Sequence, residues 1–474
     1  MTPPCASHAE LSRPQTRQSP SPRRSLTATF WRGLLAAALL TVAASSPDHA
    51  ATAAPAPAAN KQPPNIIILL ADDLGYGDLG CYGHPTIRTP ELDKMAAEGM
   101  RFTQFYAAAS ICTPSRAALL TGRLPIRSGL NRVLNPKSKG GIPEDEVTIA
   151  QALRAKGYAT ACVGKWHLGH LEKYRPLHHG FDRYFGLLYS NDMTPLGLYR
   201  DDKEIENPVQ QASLTERYTA EAIRFIQDCR RGGAAKPFFV YLPYTMPHVP
   251  LAVTRKFAGR SQRGLYGDVV ETIDWSVGRI LKTLRDEALA DNTLVFFTSD
   301  NGPWLSRKQH AGSAGLLREG KGTTWEGGVR EPCIAWWPGK VKPGVVSLEV
   351  GSTMDFFPTC LALAQVRPSA NRTIDGESLL PVLLGKGRPR PRVLFFYWLT
   401  ELTAVRKGPW KLHFKTMQEF GKHAEKHDPP LLFQLEVDPS EQYNVAKEHP
   451  DVVAAILKEV ARHKGELKPG KPQT

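Results

Sequence analysis

Continuous apolar runs and amphipathic segments alternate along the chain between residues 64 and 385. Asn65–Ala71 is an unbroken apolar run of strand length, which is typical of a strand buried on both faces. Apolar runs predict further strands, at 159–163, 237–242 and 292–298. Apolar residues at helical spacing predict helices between them, at 89–100, 148–157, 214–229 and 265–284. This strand–helix alternation predicts one large α/β domain over residues 64–385.

The pattern changes after residue 385, where the apolar runs become short. They predict strands at 393–398, 402–406, 410–414 and 431–435 and a final helix at 452–463. Lys407-Gly408-Pro409 provides a tight turn between two of these strands. We therefore predict a small C-terminal subdomain, residues 386–474, in which a helix covers an antiparallel sheet.

The first 60 residues are patterned differently from a folded domain. A polar, Arg-bearing stretch ends at Arg32, an apolar run follows at 33–44, and small residues and Ala/Pro repeats come next. This order is typical of a secretory signal, here residues 1–53, followed by a linker at 54–63. The apolar run is shorter than the roughly 20 residues that span a bilayer. We expect an exported protein, periplasmic or secreted, without stable membrane insertion.

Charge and cysteine content narrow the function only slightly. The formal net charge is +14, and such a basic surface suits nucleic acid, acidic lipid or sulfated glycan, but also occurs without any such partner. The seven cysteines are widely spaced and form no Cys-x-x-Cys pair. Neither a disulfide scaffold nor a zinc ribbon is therefore indicated.

Polar clusters follow four of the predicted strands at the point where each strand ends. They are Asp72-Asp73, Lys165 with His167, His248, and Asp300-Asn301. Each cluster alone has the composition of an ordinary turn. Ligands of open α/β sheets bind at the carboxyl ends of the strands, however, so we expect these four clusters to converge on one site.

A fifth cluster, residues 112–123, contains Cys112 two residues before a proline. Pro114 favours the start of a helix, so Cys112 should lie where the helix N–H groups face it. A helix N-terminus attracts anions and lowers the pKa of a thiol. The residues alone leave two interpretations open: a thiolate nucleophile, or a buried cysteine at a helix end.

The fifth cluster also carries a family resemblance. Cys112-x-Pro-Ser-Arg-x-x-x-Leu-Thr-Gly-Arg resembles the signature of the type I sulfatases, in which this cysteine is oxidised to formylglycine (3-oxoalanine). Further stretches resemble motifs of that family in the same order, at 71–80, 164–169, 298–302 and 320–328. The resemblance is closest to the arylsulfatase A and N-acetylgalactosamine-6-sulfatase branches.

The resemblance implies a fold, a reaction and a metal. The large domain should be alkaline-phosphatase-like, with a mixed, mostly parallel sheet between helices, and the reaction should be hydrolysis of sulfate monoesters. Oxygen atoms would hold a Ca²⁺ ion, as a hard cation prefers. The implied metal ligands are Asp72, Asp73, Asp300 and Asn301, with the modified Cys112 and the sulfate completing the shell.

The resemblance also assigns roles in the reaction. Lys165 and Lys321 would contact the sulfate, Arg116 would orient the hydrated aldehyde, and Ser190 lies in a loop on the substrate side. One hydroxyl of the hydrate would attack sulfur and form a covalent sulfo-enzyme. His248 would protonate the departing alcohol, and His167 would take the proton of the second hydroxyl.

The implied partners are a sulfated small molecule or saccharide and the enzyme that generates formylglycine; no nucleic-acid partner is expected. One alternative is a phosphate or phosphonate ester hydrolase of the same superfamily. Two-zinc phosphatases would be expected to carry Asp-His in place of Asp300-Asn301, whereas phosphonate hydrolases can share the Cys112 signature. A non-catalytic binder of sulfated glycans need not keep Cys112, His167 and His248 together.

Overall fold

The computed structural model describes residues 62–231, 236–388 and 391–473. The predicted signal segment, residues 1–53, lies outside the described residues, as does the linker up to residue 61. Within the described ranges, no helix combines the length and apolar character needed to cross a bilayer.

The described ranges contain strands and helices in alternation, as the apolar pattern predicts. The strands are β1 (Asn65–Ala71), β2 (Met100–Tyr106), β3 (Ala159–Val163), β4 (Arg183–Leu187), β5 (Leu198–Arg200), β6 (Lys203–Glu206), β7 (Phe238–Pro243), β8 (Thr293–Ser299), β9 (Arg330–Trp336), β10 (Val345–Ser347), β11 (Gly351–Ser352), β12 (Val393–Trp398), β13 (Glu401–Lys407), β14 (Trp410–Gln418) and β15 (Lys422–Gln434). The α-helices are α1 (Pro90–Glu98), α2 (Cys112–Thr121), α3 (Pro125–Ser128), α4 (Ile149–Arg154), α5 (Leu214–Arg231), α6 (Leu265–Asp286), α7 (Glu326–Val329), α8 (Phe356–Leu363), α9 (Leu380–Leu383) and α10 (Pro450–Glu466).

One mixed sheet forms the centre of the molecule. Its strands run in the order β10-β2-β9-β8-β1-β7-β3-β4-β5-β6, with β11 also paired to β2. The strands from β8 through β1, β7 and β3 to β4 are parallel, and β1 lies between β7 and β8 with Ile68 opposite both Tyr241 and Phe296. The carboxyl ends of β1, β3, β7 and β8 therefore meet at one edge of the sheet.

Both faces of the sheet are buried by helices. Alternate residues of β1 enter two different cores: Ile66 and Ile68 pack with α2, α4 and α8, whereas Ile67 and Leu69 pack with α1, α5 and α6. This explains why β1 is an unbroken apolar run, because a strand covered on both sides has no solvent-facing position.

A second sheet of four antiparallel strands, in the order β12-β13-β14-β15, follows in the C-terminal part. α10 packs on it through Ile456 and Val460. The predicted strand at 431–435 is the end of the much longer β15, which forms a hairpin with β14. The tip of this hairpin, Glu419–Gly421, extends well beyond what the apolar pattern suggests, because the outer half of β15 is exposed and polar. The predicted fold class is confirmed.

A group of fully buried charges connects the small sheet to the large domain. Lys411 Nζ on β14 lies 2.9 Å from Glu326 Oε1 on α7 and 3.1 Å from Glu441 Oε1. His413 Nε2 lies 2.7 Å from the same Glu441 oxygen, and the Tyr106 hydroxyl donates to Glu326 Oε2 at 2.5 Å. Burial alone would raise the pKa of Glu326, but the charges of Lys411, Arg330 and Arg406, with the Tyr106 hydrogen bond, together lower that pKa to about 2. Lys411 thus pairs with two buried acids.

Replacing Lys411 with methionine should destabilise the protein strongly. The Lys411→Met variant leaves Glu326 and Glu441 facing each other without the ammonium, and breaking a buried ion pair costs about 3–5 kcal/mol. The free energy of unfolding, measured in urea, should fall by that amount. The control is Lys426→Met, because the Lys426 side chain is 79% exposed and should change stability by less than about 0.5 kcal/mol. Equal effects of the two variants would contradict the assignment.

Candidate active site

The polar clusters predicted at the strand ends come together at one edge of the large sheet, and α2 begins beside them. Each of the residues predicted for the site is at least 96% buried. These residues are Asp72, Asp73, Cys112, Arg116, Lys165, His167, Ser190, His248, Asp300, Asn301 and Lys321. The sequence therefore identifies residues that are distant along the chain and neighbours in space.

Cys112 is the first residue of α2, and its thiol lies among charged groups. Sγ is 3.5 Å from Asp72 Oδ1 and 3.5 Å from Lys321 Nζ. Burial raises the pKa of Cys112, and the opposing charges of Lys165 and Lys321 do not compensate for it. The thiol therefore remains protonated, which disfavours the thiolate nucleophile that the helix start alone would suggest.

Arg116, one turn further along α2, joins two of the acids. Its Nη2 atom lies 2.8 Å from Asp300 Oδ2 and 3.3 Å from Asp72 Oδ1. Its Nε donates to Asp300 Oδ2 at 2.9 Å, and Nη1 donates to the Lys165 carbonyl oxygen at 3.0 Å. The described contacts of Arg116 thus fix the carboxylates and the start of the Lys165 loop.

Lys165 reaches the centre of the site from the end of β3. Its Nζ donates to Asp72 Oδ2 at 2.6 Å and to Ser190 Oγ at 3.2 Å. The preceding Gly164 has φ +135°, and a Cβ there would lie 1.9 Å from the carbonyl oxygen of Pro243. A side chain at 164 would therefore displace the turn that aims Lys165 at the site.

Lys321 reaches the site from the loop before α7. Its Nζ donates to both oxygens of Asp73, at 2.7 and 2.8 Å. Burial would lower the pKa of Lys321, but the charges of Asp73 and Asp72, with the Asp73 hydrogen bond and the nearby Cys112, together raise that pKa, so the ammonium persists. Two ammonium groups therefore flank Cys112, each paired with one carboxylate of the Asp72-Asp73 sequence.

His248 has one ring nitrogen engaged and one free to exchange a proton. Nδ1 lies 2.6 Å from the Val249 carbonyl oxygen and 3.5 Å from Ser190 Oγ. A carbonyl only accepts, so Nδ1 carries a hydrogen. Nε2 lies 3.6 Å from Asp73 Oδ2 and faces the cluster. Burial and the charge of Lys321 lower the pKa of His248, which makes its protonated form a stronger acid.

In His167 the two ring nitrogens have the opposite roles to those in His248. Its Nε2 lies 2.8 Å from the Leu134 carbonyl oxygen and must therefore donate to it. Nδ1 is buried and has no hydrogen-bond partner in the described part of the chain. Burial, with the charge of Lys165, holds the pKa of His167 well below its usual value. The ring is thus neutral and keeps an unprotonated nitrogen.

The acids of the site suit an oxygen-preferring cation. Asp72, Asp300 and Cys112 each offer a ligand atom, and these atoms lie within 4.8 Å of one another. The side-chain oxygen of Asn301 is buried and accepts no hydrogen bond among the described residues, while its Nδ2 donates to Asp73 at 2.7 Å. Burial raises the pKa of Asp300 to about 7 against the charge of Arg116. A further cation would keep this carboxylate ionised, so the residues fit Ca²⁺.

Two aromatic residues beside the site were not predicted. The Trp304 ring lies 5.4 Å from the His248 ring and 5.5 Å from Phe420 at the hairpin tip, and Lys321 Nζ is 4.7 Å from its centre. Trp304 directly follows Asp300–Pro303, and that position could have suggested it. Phe420 is more than 100 residues away, and no local pattern places it there.

Comparison with protein families gives matches over most of the chain. The family model described as Sulfatase matches residues 64–366. The model described as the C-terminal region of aryl-sulfatase matches residues 389–474.

Individual relatives and structures agree with these matches. N-acetylgalactosamine-6-sulfatase of Canis lupus familiaris is 43% identical, with 86% of this chain and 87% of that protein covered. Arylsulfatase A of Homo sapiens is also 43% identical, with 82% and 86% covered. The crystal structure of the PsFucS1 sulfatase from Pseudoalteromonas sp. superposes with a TM-score of 0.79 at 30% identity, covering 87% of this chain and 92% of that one.

Proposed function

Because the chain belongs to the sulfatase family and is a sulfuric ester hydrolase, we propose that it cleaves sulfate monoesters with a formylglycine made from Cys112 and a bound Ca²⁺ ion. The observation that carries the proposal is the position of Cys112 Sγ, 3.5 Å from both Asp72 Oδ1 and Lys321 Nζ. The reacting atom thus lies between an acid able to bind a metal and a cation able to bind sulfate.

The burial of Cys112 supports the modification. A protonated thiol is a poor nucleophile, whereas a hydrated formylglycine supplies two hydroxyls, one to attack sulfur and one to lose a proton. Cys112 is only 2% exposed, so a maturation enzyme must reach it before α2 has packed. The enzyme that generates formylglycine is therefore a proposed partner of the unfolded chain.

Ca²⁺ would be held by Asp72, Asp73, Asp300 and Asn301, and would supply positive charge next to the sulfate oxygens. Without the metal ion, the formal charges of the described cluster sum to zero, because it contains three acidic and three basic residues. The acids are Asp72, Asp73 and Asp300, and the bases are Arg116, Lys165 and Lys321. A sulfate monoester, which is monoanionic, would therefore meet net positive charge once a divalent cation is present.

Lys165 and Lys321 are proposed to bind the sulfate from both sides of residue 112. Sulfate esters carry negative charge throughout the reaction, so these ammonium groups would stabilise the ground state and the transition state alike. Ser190 Oγ, 3.2 Å from Lys165 Nζ, would help to orient that ammonium. Arg116 would act as a positioning residue, because its described contacts are to Asp72, Asp300 and the Lys165 backbone.

The two histidines are proposed to move protons in opposite directions. His248 would deliver a proton from Nε2 to the departing alcohol, since Nδ1 is held by the Val249 carbonyl. His167 would accept a proton at Nδ1, the nitrogen that its bond to Leu134 leaves unprotonated. Two rings in different hydrogen-bonding environments can thus serve as acid and base at the same pH.

The proposal extends to the substrate and the chain organisation. A relative is named for N-acetylgalactosamine 6-sulfate, so a saccharide sulfate is the proposed substrate class. Residues 1–53 are proposed to be an export signal joined by a linker, 54–63, to a catalytic domain, 64–385, and a C-terminal subdomain, 386–474. The protein would then act outside the cytoplasm.

Three esters with the same leaving group distinguish a sulfatase from a phosphonate or phosphate hydrolase. Nitrophenyl sulfate, nitrophenyl phosphate and a nitrophenyl phosphonate share one leaving group, so kcat/KM compares the transferred group alone. The proposal predicts the highest kcat/KM for the sulfate, with inorganic sulfate as the product. A preference for the phosphonate or phosphate would assign the protein to the other activity.

Asp300→Ala should remove metal and activity together. Calcium content, measured by atomic emission on protein purified without chelator, should be about one ion per chain in the wild type and much lower in the variant. Activity should fall by about 10²-fold or more. Asp192→Ala, an exposed acid in the Ser190 loop, is the control and should keep its calcium. Two zinc ions per chain, or full calcium in Asp300→Ala, would contradict the metal assignment.

A further inference from the structure

We propose that Arg307 recognises a second anionic group on the substrate, so that the enzyme prefers saccharides bearing another sulfate or a carboxylate beside the ester it cleaves. This inference rests on the proposed function and names the part of the site that selects the leaving group. It concerns the short 3₁₀ segment Leu305–His310, which follows the Asp300-Asn301 cluster.

Trp304 places this segment beside the reacting groups. Its ring lies 5.4 Å from the His248 ring, and Lys321 Nζ is 4.7 Å from its centre. If His248 protonates the departing alcohol, the leaving group must lie next to His248, whose ring contacts Trp304. Trp304 is half-buried, and the residues that follow it are exposed. Trp304 therefore lies between His248 and the exposed residues of the segment.

Arg307 is held on the same indole. Its guanidinium carbon lies 3.7 Å from the centre of the Trp304 ring, the geometry of a cation–π contact that also fixes a planar guanidinium. Lys321 Nζ lies 4.7 Å from the centre of the same ring. The distance between Lys321 Nζ and the Arg307 guanidinium carbon therefore cannot exceed the sum of their two distances to the ring centre. The separation of the two cations is therefore within the span of one saccharide unit that carries two anionic groups.

The guanidinium of Arg307 is available for a ligand. The side chain is exposed, and among the described residues no carboxylate forms an ion pair with it. An oriented guanidinium without an internal partner offers parallel N–H donors, which match a carboxylate or a sulfate. Glu419, an acid on the facing hairpin, is engaged instead by the Ser306 hydroxyl at 2.7 Å.

The segment is braced from the C-terminal sheet, so Arg307 is preorganised. Ser306 bonds to Glu419, and the Phe420 ring lies 5.5 Å from Trp304 at 79°. Phe420 in turn packs against Gly322. A Cβ at position 322 would lie 2.7 Å from the backbone nitrogen of Phe420. A side chain whose orientation is already fixed loses less entropy when it binds. The hairpin tip thus contributes to selectivity by holding the loop.

Matched sugars that differ by one anionic group test the proposal. The probes are N-acetylgalactosamine 6-sulfate with its 4,6-disulfate, and glucosamine 6-sulfate with its 2-N,6-O-disulfate. Binding is measured calorimetrically in the Cys112→Ala full-length protein, where turnover cannot intervene, with and without Arg307→Ala. In at least one pair, Arg307→Ala should weaken binding of the disulfate about tenfold and leave the monosulfate within about twofold.

Four further variants separate the charge of Arg307 from its orientation. Arg307→Lys should recover part of the lost affinity, because it restores charge without the planar fork. Trp304→Leu should weaken binding of the disulfate as much as Arg307→Ala does, because Trp304 acts by orienting Arg307. The double variant should lose no more affinity than either single variant. Arg367→Ala removes an exposed arginine elsewhere and controls for net charge; it should change neither affinity.

Equal losses for both members of each pair, no loss in either pair, or no binding of any of these sugars would overturn the proposal. Sulfate release by the wild type from nitrophenyl sulfate is measured in parallel. If sulfate is released and Arg307→Ala shows no selective loss, the inference fails while the proposed function stands. If no sulfate is released from any ester, the proposed function itself fails.

Discussion

Replacing Cys112 with alanine is expected to reduce turnover of every sulfate ester by roughly 10⁴-fold or more, the scale of loss when an enzyme's nucleophile is removed. Binding should persist, because Lys165 and Lys321 keep their short hydrogen bonds to Asp72 and Asp73 when the thiol is removed. The measurement is kcat for nitrophenyl sulfate together with calorimetric affinity for the same compound.

Cys229→Ala is the matched control for this experiment. Cys229 is a half-buried cysteine on α5 that packs against the core on that face of the sheet, and its replacement should leave kcat unchanged. If Cys112→Ala retained near wild-type turnover, residue 112 would not take part in the chemistry. A loss confined to binding would instead make Cys112 a structural cysteine at the start of α2.

His248→Ala is expected to damage the hydrolysis of a sugar sulfate far more than that of nitrophenyl sulfate. A nitrophenolate leaves readily as an anion, whereas a sugar alkoxide requires a proton as it departs. The difference between the two losses in kcat should reach about 10²–10⁴-fold, the usual contribution of a positioned proton donor. The sugar sulfate is the member of the saccharide panel with the highest wild-type kcat, under conditions where ester cleavage limits the rate.

Lys165→Ala provides the comparison. Lys165 is proposed to contact the sulfate and not the leaving group, so its replacement should affect both substrates more evenly. Equal losses on the two substrates in His248→Ala would make His248 a residue of the turn around Met246–Pro250, held by its bond to the Val249 carbonyl, and would leave the acid unidentified.

The centre of the site could be predicted from the sequence because its residues obey a simple topological rule. Asp72-Asp73 and Asp300-Asn301 directly follow two neighbouring parallel strands. Such strands end at one edge, so the polar residues after them must meet. No knowledge of side-chain packing was needed for that inference. The motif around Cys112 then linked α2 to the same edge.

The rim of the site could not be predicted, because it depends on packing between distant segments. The outer half of β15 is exposed and charged, so its sequence does not resemble a strand. Its pairing with β14 nevertheless carries Phe420 to Trp304. β9 was missed for a related reason: Arg330 and Glu331 begin a strand that is wholly buried, and the pattern of apolar residues does not anticipate charges there.

The state of Cys112 also required the structure. A cysteine at a helix start is ordinarily expected to have a lowered pKa. Here the thiol is 2% exposed, and burial raises its pKa despite two nearby ammonium groups. The magnitude of burial depends on how α2, β1 and the Lys321 loop close around the sulfur, which the local sequence does not determine. The raised pKa is what makes a modified residue chemically reasonable at this position.

The most direct test of the formylglycine mechanism is the mass of the tryptic peptide that contains residue 112 and ends at Arg116, taken from active enzyme produced in a host with the maturation machinery. This peptide is expected to carry an aldehyde in place of the thiol, and the modified fraction in different preparations should rise in proportion to specific activity. Fully active enzyme with an unmodified Cys112 thiol would contradict the mechanism.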